Sequence, residues 1–269
     1  MLTPDPLDDI AFLARSAHRV AVLRTLAAAP SPRPDLHAET GIPQPTLGRI
    51  LGDFEDRHWV ERRSPEYALT SFGALVVDEF DDLVNTVETV QKLGDVIGGL
   101  PTNRMDFSVH RFGSATITTP QTGDVFRHVR RAEELINGAA RVKLLTDTIN
   151  PDSLGKLHVR VTNHGDSDLL VETVITEPAI QQALANRPMV GVIRELLESG
   201  CAPVYRYEGS IPLMLGLADD IAFMAATDDN AIPEALIETE DETIRTWVLE
   251  QFDSFRERST ELTVNDLPG

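Results

Sequence analysis

In HRVAVLRTLAAAPSPRPDLHAETGIPQPTLGRILGDFEDRHWVERRSPEYALT, residues 18–70, helical apolar spacing is interrupted by proline and glycine where a chain must turn. Just upstream and into this stretch, Ile10, Leu13, Ala14, Ala17, Val20, Ala21, Leu23 and Leu26 follow a helical stripe, and Ser16 is placed to restart a helix as its N-cap. Two helices, or one kinked helix, therefore precede Pro30. The cluster PSPRP breaks the chain, and DLHAETG reads as a two-turn helix closed by Gly41. In IPQPTLGRILGDFEDRHWV, Pro43 and Pro45 are tolerable only near a helix start, while Leu47, Ile50, Leu51 and Phe54 recur at helical spacing and should face the core. WVERRS and YALT are β-prone runs joined by Ser64, Pro65 and Glu66, a hairpin with Arg62 and Arg63 at its tip.

The order helix, helix, turn, helix, hairpin resembles the winged helix-turn-helix of archaeal regulators related to the ArsR and TrmB families. The residues that carry it are RVAVLRTLA, DLHAETGI, PQPTLGRILGDFEDRHWVERR and YALTSFG, with departures at Pro45, inside the first helical turn, and at His58, where the family usually has Gly. The resemblance implies double-stranded DNA as the partner. Gln44, Thr46 and Arg49 then fall near the N-terminus of a recognition helix, on the side away from the core, where side chains meet base edges. Arg62 and Arg63 on the wing are placed to touch phosphate or enter a minor groove. The competing expectation is a non-DNA-binding adaptor that uses the same helices to dock a protein.

A chain with formal net charge −19 is an unusual carrier for such a module, since phosphates should repel it. Lys92, Lys143 and Lys156 are the only lysines among 24 basic residues, against 43 carboxylates. A dispersed acidic excess of this kind keeps proteins soluble where salt screens self-repulsion, so the composition fits a halophilic cytoplasm; a merely acidic protein is the alternative. Residues 1–75 hold eight arginines and ten carboxylates, a formal −2, and the other −17 lies downstream. No apolar run approaches the ~20 residues that cross a bilayer, and MLTPDPLDDIAF lacks the basic start of a signal peptide, so no membrane association and a cytoplasmic location are expected.

From Ala74 onward, Val76, Phe80, Leu83, Val87 and Val90 alternate at spacings of four and three, continued by Gly94 and Ile97, which is a heptad seam. It predicts a helix over 74–100 that makes a homodimer, with packing onto its own domain as the competing role. A dimer would place two recognition helices about 34 Å apart on two half-sites. Residues 1–73 are thus expected as the winged domain, 101–124 as a linker with one or two short strands, and 125–269 as a second domain.

In that second domain VFRHVRRAEELINGA is a helix, RVKLLTD a buried strand, SLGKLHVRVTN a helix or irregular turn, and DLLVETVIT a strand. EPAIQQALA and MVGVIRELLESG are helices, APVYRYE, IPLMLGLA and DIAFMAAT strands, EALIETE an edge strand, and DETIRTWVLEQFDSFRERSTEL a long terminal helix. The expected fold class is α+β at the front and an α/β sandwich with a mixed sheet behind. This order, with APVYRYEGSIPLMLGLADDIAFMAAT before a terminal helix, resembles the C-terminal sensor domain of archaeal regulators of the methanogenesis regulatory protein type, similar in turn to the phospholipase D-like half domain of TrmB regulators. The resemblance implies sensing of an effector, whether small molecule or protein.

The chain lacks a histidine with a lysine two residues on, as a phospholipase D reaction needs, and it has no Walker loop, GxGxxG, GxSxG or HExxH. No catalytic residue and no cofactor are therefore assigned. His158, His164, Asp166 and Asp168 lie close in sequence, but scattered polar residues at a turn are commonly solvated, and no metal is expected. Ligands of α/β sheets bind beyond strand C-terminal ends, which nominates Asp147, Asn150, Thr176 and Glu177, with Tyr205, Arg206 and Tyr207 on a later strand; each also suits a cap or a surface position. Cys201, the single cysteine, excludes an intrachain disulfide and reads as a redox thiol or as an inert buried residue.

Overall fold

In a computed structural model of the chain, residues 5–164, 169–227 and 233–268 are described. They divide into two compact units, residues 1–87 and 88–269.

The first unit begins with α1 (Pro6–Ala14), capped by the Asp5 carboxylate, which accepts from the Leu7 backbone N–H at 3.0 Å. Ser16 occupies the N-cap position of α2 (Ala17–Ala28), but its hydroxyl makes no capping bond, so its extended backbone alone makes the break. After β1 (Ser31–Pro32) and α3 (Arg33–Thr40), Gly41 at φ 68° closes α3 in the left-handed conformation that glycine adopts without steric cost. Helix α4 (Gln44–Asp56) takes Pro45 in its first turn, where the missing N–H removes no helical bond. Leu47, Ile50, Leu51 and Phe54 of α4 are buried with Val22, Leu23, Leu26, Leu36 and Trp59, as their spacing requires.

Strands β2 (Val60–Arg63) and β3 (Glu66–Leu69) form the wing, and β1 joins the far side of β3, giving the order β1-β3-β2. His58 stands at φ 58° between α4 and the wing. That is the turn where a glycine is usual, and histidine is among the residues that enter this region more often than most. Helix α5 (Ser71–Leu93) follows, and at its start a Cβ on Gly73 would lie 1.9 Å from the Trp59 carbonyl oxygen. Only a glycine lets the backbones approach so closely.

The second unit contains β4 (Thr116–Thr118), α6 (Arg127–Gly138), β5 (Arg141–Thr146), α7 (Pro151–His164), β6 (Leu170–Thr176), α8 (Glu177–Leu184) and α9 (Arg187–Ser199). Then come β7 (Val204–Tyr207), β8 (Leu215–Ala218), β9 (Ile221–Thr227), β10 (Pro233–Thr239), α10 (Glu242–Glu257) and β11 (Thr260–Glu261). The strands form one sheet in the order β11-β7-β6-β5-β8-β9-β10-β4. Strands β5, β6 and β7 run parallel and the other neighbours antiparallel, so the sheet is mixed.

Two expectations differ from the structure. The helix expected over 74–100 is α5, which starts at Ser71 and ends at Leu93; Gly94, at φ 54°, turns the chain into a 3-10 segment (Gly94–Gly99), so the seam does not run on through Gly94 and Ile97 in one α-helix. The second concerns an edge strand. EALIETE becomes β10, an interior strand between β9 and β4, because Thr116–Thr118 from the connecting segment pairs along its outer side. Its Ala235, Leu236 and Ile237 are all buried, as suits a strand covered on both faces.

Side chains alternate across the sheet. Leu145, Val174, Met224 and Ile237 pack against Trp247, Val248 and Phe252 of α10. Val142, Val171 and Phe223 meet Ala132 and Leu135 of α6, while Ile175 meets Ile180 of α8 and Ile193 of α9. Helices therefore cover both faces, and the Asp241 carboxylate caps α10 by accepting from the Ile244 N–H at 3.1 Å.

Candidate nucleic-acid interface and ligand cavity

In the first unit the arginines fall into two groups. Arg24 pairs with Asp81 at 2.8 Å and Arg57 with Asp9 at 3.0 Å, and Arg19 donates to the Phe12 carbonyl at 2.7 Å while lying 3.7 Å over the Phe12 ring. These hold the module together. Arg49 is exposed on α4 and forms no ion pair with another described residue, and Thr46, nearly one turn earlier, is half-buried. The third α4 candidate, Gln44, is turned inward. Its side-chain amide donates to the Arg33 carbonyl at 3.3 Å, while the Arg33 guanidinium donates to the Gln44 carbonyl.

Arg33, inconspicuous within PSPRP, thus clamps the turn between α3 and α4. Its guanidinium lies so near α4 that a Cβ on Gly48 would sit 2.7 Å from it.

On the wing, consecutive strand residues point to opposite faces, so Arg62 and Arg63 do not act as a matched pair. Arg63 is bound to Glu61 at 2.5 Å. Arg62 lies 5.8 Å from the Tyr67 ring centroid and has no ion-pair partner among the described residues. Of the five candidates, Arg49 and Arg62 present uncompensated charge.

The candidates in the second unit do not form one site. Tyr205 and Tyr207 face α10: Arg256 stands 5.6 Å from the Tyr205 ring, burial pushes the Tyr205 phenol above its ordinary pKa, and Tyr207 packs edge-on to Phe255 at 5.0 Å. On the other face, Glu177 and Arg206 pair at 3.3 Å, and Gln181 donates to Glu177 at 2.8 Å. Thr176 is buried at the start of α8, and Asp147 is exposed after β5. Cys201 is partly buried after Gly200, with its thiol donating to the Ser199 carbonyl at 3.5 Å. Asp166 and Asp168, and the side chain of His164, lie outside the described residues.

Asn150 leads to a more organised feature. Its Oδ1 caps α7 by accepting from the N–H groups of Asp152 at 2.9 Å and Ser153 at 3.4 Å, and its Nδ2 donates to Glu133 of α6 at 3.1 Å. Ser153 and Lys156 also donate to Glu133, at 2.8 and 2.6 Å. Burial pushes the Glu133 carboxyl up, but the bonds from Lys156 and Ser153 outweigh it and hold the group below its ordinary value.

Beside this clasp, between the helices α7 and α9 and the strands β5, β6 and β7, lies a cavity of about 130 Å³. Leu144, Val171, Ile175, Leu157, Ile193 and Leu196 give it apolar walls, and Thr146, Thr148, Asn150 and Ser153 line its polar end. Thr148 and Asn150 are exposed, so that end is the mouth. The sequence located Asn150 by strand-end reasoning. It did not indicate the cavity, because the empty volume depends on how α7 and α9 meet over the sheet.

The first unit is thus a helix-turn-helix with a wing, and the second a mixed sheet with helices on both faces. Residues 7–92 match the model of the HVO_A0261 N-terminal domain, and residues 125–258 match that of the methanogenesis regulatory protein FilR1, middle domain. The chain thus joins an N-terminal domain of the HVO_A0261 type to a middle domain of the FilR1 type, a TrmB-like pairing.

No curated protein matches it. Among solved structures, TrmBL2, an archaeal chromatin protein whose structure is described as showing a novel mode of DNA binding, is 14% identical, covers 96% of this chain and 100% of its own, and has a TM-score of 0.43. CalO1, a methyltransferase of calicheamicin biosynthesis, is 20% identical over 75% of this chain and 62% of its own, with a TM-score of 0.23. HmgR of Pseudomonas aeruginosa is 12% identical over 89% and 95%, also at 0.23. At these scores the likenesses carry no functional weight. Among the described residues no helix is long and apolar enough to cross a membrane.

Proposed function

We propose that the chain is a DNA-binding transcriptional regulator, dimeric and cytoplasmic, whose second domain senses an effector. The observation that carries the reading is Arg49, exposed and without an ion-pair partner among the described residues, on the second helix of a helix-turn-helix whose wing presents Arg62 in the same condition. In this reading α4 enters a major groove, with Arg49 and Thr46 at base edges and Arg62 on backbone or minor groove. Gln44 stabilises the turn and contributes to DNA binding only through it.

Dimerisation is supported by apolar surface. Leu83 and Val87 of the seam are 48% and 47% exposed, and an open groove of about 790 Å³ in the first unit is walled by Ile10, Phe72, Val76, Phe80 and Leu83. An effector acts by binding one arrangement of the dimer better than another. The acidic excess suits a salt-rich cytoplasm.

The test is mobility shift of the gene's own upstream DNA at molar KCl, with Arg49→Ala, Arg62→Ala and Arg63→Ala compared. Arg49→Ala and Arg62→Ala are expected to weaken binding about tenfold or more, each removing a contact of ~1–3 kcal/mol. Arg63→Ala is expected to matter less, because Glu61 already occupies that guanidinium. Wild-type protein that leaves the DNA unshifted would sink the regulator reading in favour of the protein-docking adaptor.

A further inference from the structure

We infer that the cavity between α7, α9 and the parallel strands is a binding site for one small, neutral, mainly apolar molecule: a single ring or short branched chain bearing one hydroxyl or carbonyl group. This rests on the effector-sensing reading above and names the ligand class.

Three observations carry it. First, well-packed interiors leave few voids larger than a water molecule, whereas this one measures about 130 Å³. That is close to the roughly 150 Å³ of an apolar engineered cavity that stays dry and takes up benzene. A ring or a five- to six-carbon branched chain is therefore the right size, and a sugar or nucleotide is too large.

Second, polarity is graded. The inner walls are Val171 and Ile175 from β6, Leu157 from α7 and Ile193 and Leu196 from α9, with the Thr173 hydroxyl as the one polar group that β6 adds there, while Thr146, Thr148, Asn150 and Ser153 supply the polar groups at and beyond the end of β5. At that end the Thr146 hydroxyl already donates to the Thr148 carbonyl at 3.2 Å and accepts from the Thr148 N–H at 3.2 Å, which fixes the Thr148 backbone at the mouth. One polar group on a ligand is matched there, while a molecule polar all round would lose its hydration against the aliphatic walls.

Third, charge is already balanced. Lys156, the cation beside the mouth, is bound to Glu133 at 2.6 Å, and Asn150 and Ser153 donate to the same carboxylate. None of the described residues lining the cavity is cationic, so a carboxylate ligand would find no counter-charge there and would face Glu133; an ammonium ligand would have to compete with Lys156. A neutral ligand meets neither obstacle.

The clasp also explains how occupancy would be felt. Glu133 ties α6 to the first turns of α7, and on the far side His158 of α7 shares a 2.5 Å hydrogen bond with Glu195 of α9. Filling the space beneath α7 bears on a helix held at these points, so the ligand acts on α7 and its neighbours rather than on the sheet.

The experiment uses the full chain and phenol, with sodium benzoate and glycerol as charged and polar probes, in calorimetry and in NMR with labelled Leu, Ile and Val methyls. Phenol is expected to bind one per chain with nuclear Overhauser contacts to Leu157, Ile193 and Leu196, and benzoate and glycerol at least tenfold more weakly. Two filling variants, Ala202→Leu and Leu157→Phe, are expected to lose phenol at least tenfold while melting no lower than wild type. Contacts of phenol to methyls elsewhere, no binding at all, or affinity unchanged in both variants would overturn the site. Benzoate equal to phenol would overturn the neutral class.

The sensing reading is tested separately by DNA affinity with and without phenol. Phenol that occupies the cavity without changing DNA affinity leaves the site standing and removes its role as sensor. A polar molecule that shifts DNA affinity equally in wild type and in Ala202→Leu leaves the sensing reading standing and removes the cavity from it.

Discussion

His128 shows how one buried side chain sets a pH response. It is 7% exposed on α6, its Nδ1 has no hydrogen-bond partner among the described residues, and burial lowers its pKa below the ordinary 6.5, opposed by a hydrogen bond to the Pro233 backbone and by Asp124. The imidazole therefore folds neutral, and the unfolded chain binds the extra proton. Its contribution to stability is complete above pH 6.5 and is lost as pH falls through the lower folded value. The melting temperature is expected to fall on acidification from pH 7 to pH 5, and His128→Gln should flatten that slope; an unchanged slope in the variant would contradict the assignment. Gly73 makes a steric argument of the same kind. With a Cβ only 1.9 Å from the Trp59 carbonyl, Gly73→Ala must push α5 off the wing. A loss of about 1–3 kcal/mol, typical of overpacking, is expected in thermal melts. A variant that melts with wild type would mean that this approach is looser than it stands.

At the scale of elements, sequence patterns were most legible where a single helix or strand decided its own face. Leu47, Ile50, Leu51 and Phe54 declared the buried side of α4, and Gly41 declared the turn. The heptad seam was half legible. Val76 and Phe80 pack against the core of the first unit, whereas Leu83, Val87 and Val90 remain 48%, 47% and 39% exposed. A periodic pattern cannot say where along a helix one partner ends and another begins. Replacing both Leu83 and Val87 by Glu is expected to convert a dimer to a monomer in light scattering, with the melting temperature little changed because both are exposed; a dimer that persists would assign the seam another role. Site residues were less legible than the fold. Gln44 lies on the expected stretch of α4, but its amide is held by the Arg33 backbone, and Arg62 differs from Arg63 only because Glu61 shares a face with Arg63. Such differences arise from side-chain partners, which no spacing rule records. EALIETE is an interior strand for a related reason: a short strand is expected in the linker, but no local pattern says that this strand, β4, pairs along the outer side of β10.

At the scale of the whole molecule, charge sets what the proposed contact with DNA would be. A module near neutrality, in a chain of −19, brings few cations to phosphate once Arg24, Arg57 and Arg63 are subtracted as internally paired. The logarithm of DNA affinity is therefore expected to fall with the logarithm of salt less steeply than about −5, the slope that six phosphate contacts at about −0.9 each would give. Titration of binding against KCl measures it, and a steeper slope would mean that additional cationic contacts form in the complex. The same salt that makes an acidic surface tolerable also screens the repulsion that keeps such chains apart, over about 3 Å at 1 M. The eight-stranded sheet meets this condition by its ends: β4 has three residues and β11 two, too little unpaired backbone to template a neighbouring strand. Short end strands limit strand-to-strand pairing through hydrogen-bonding geometry, on which ionic strength has little purchase, rather than through surface charge.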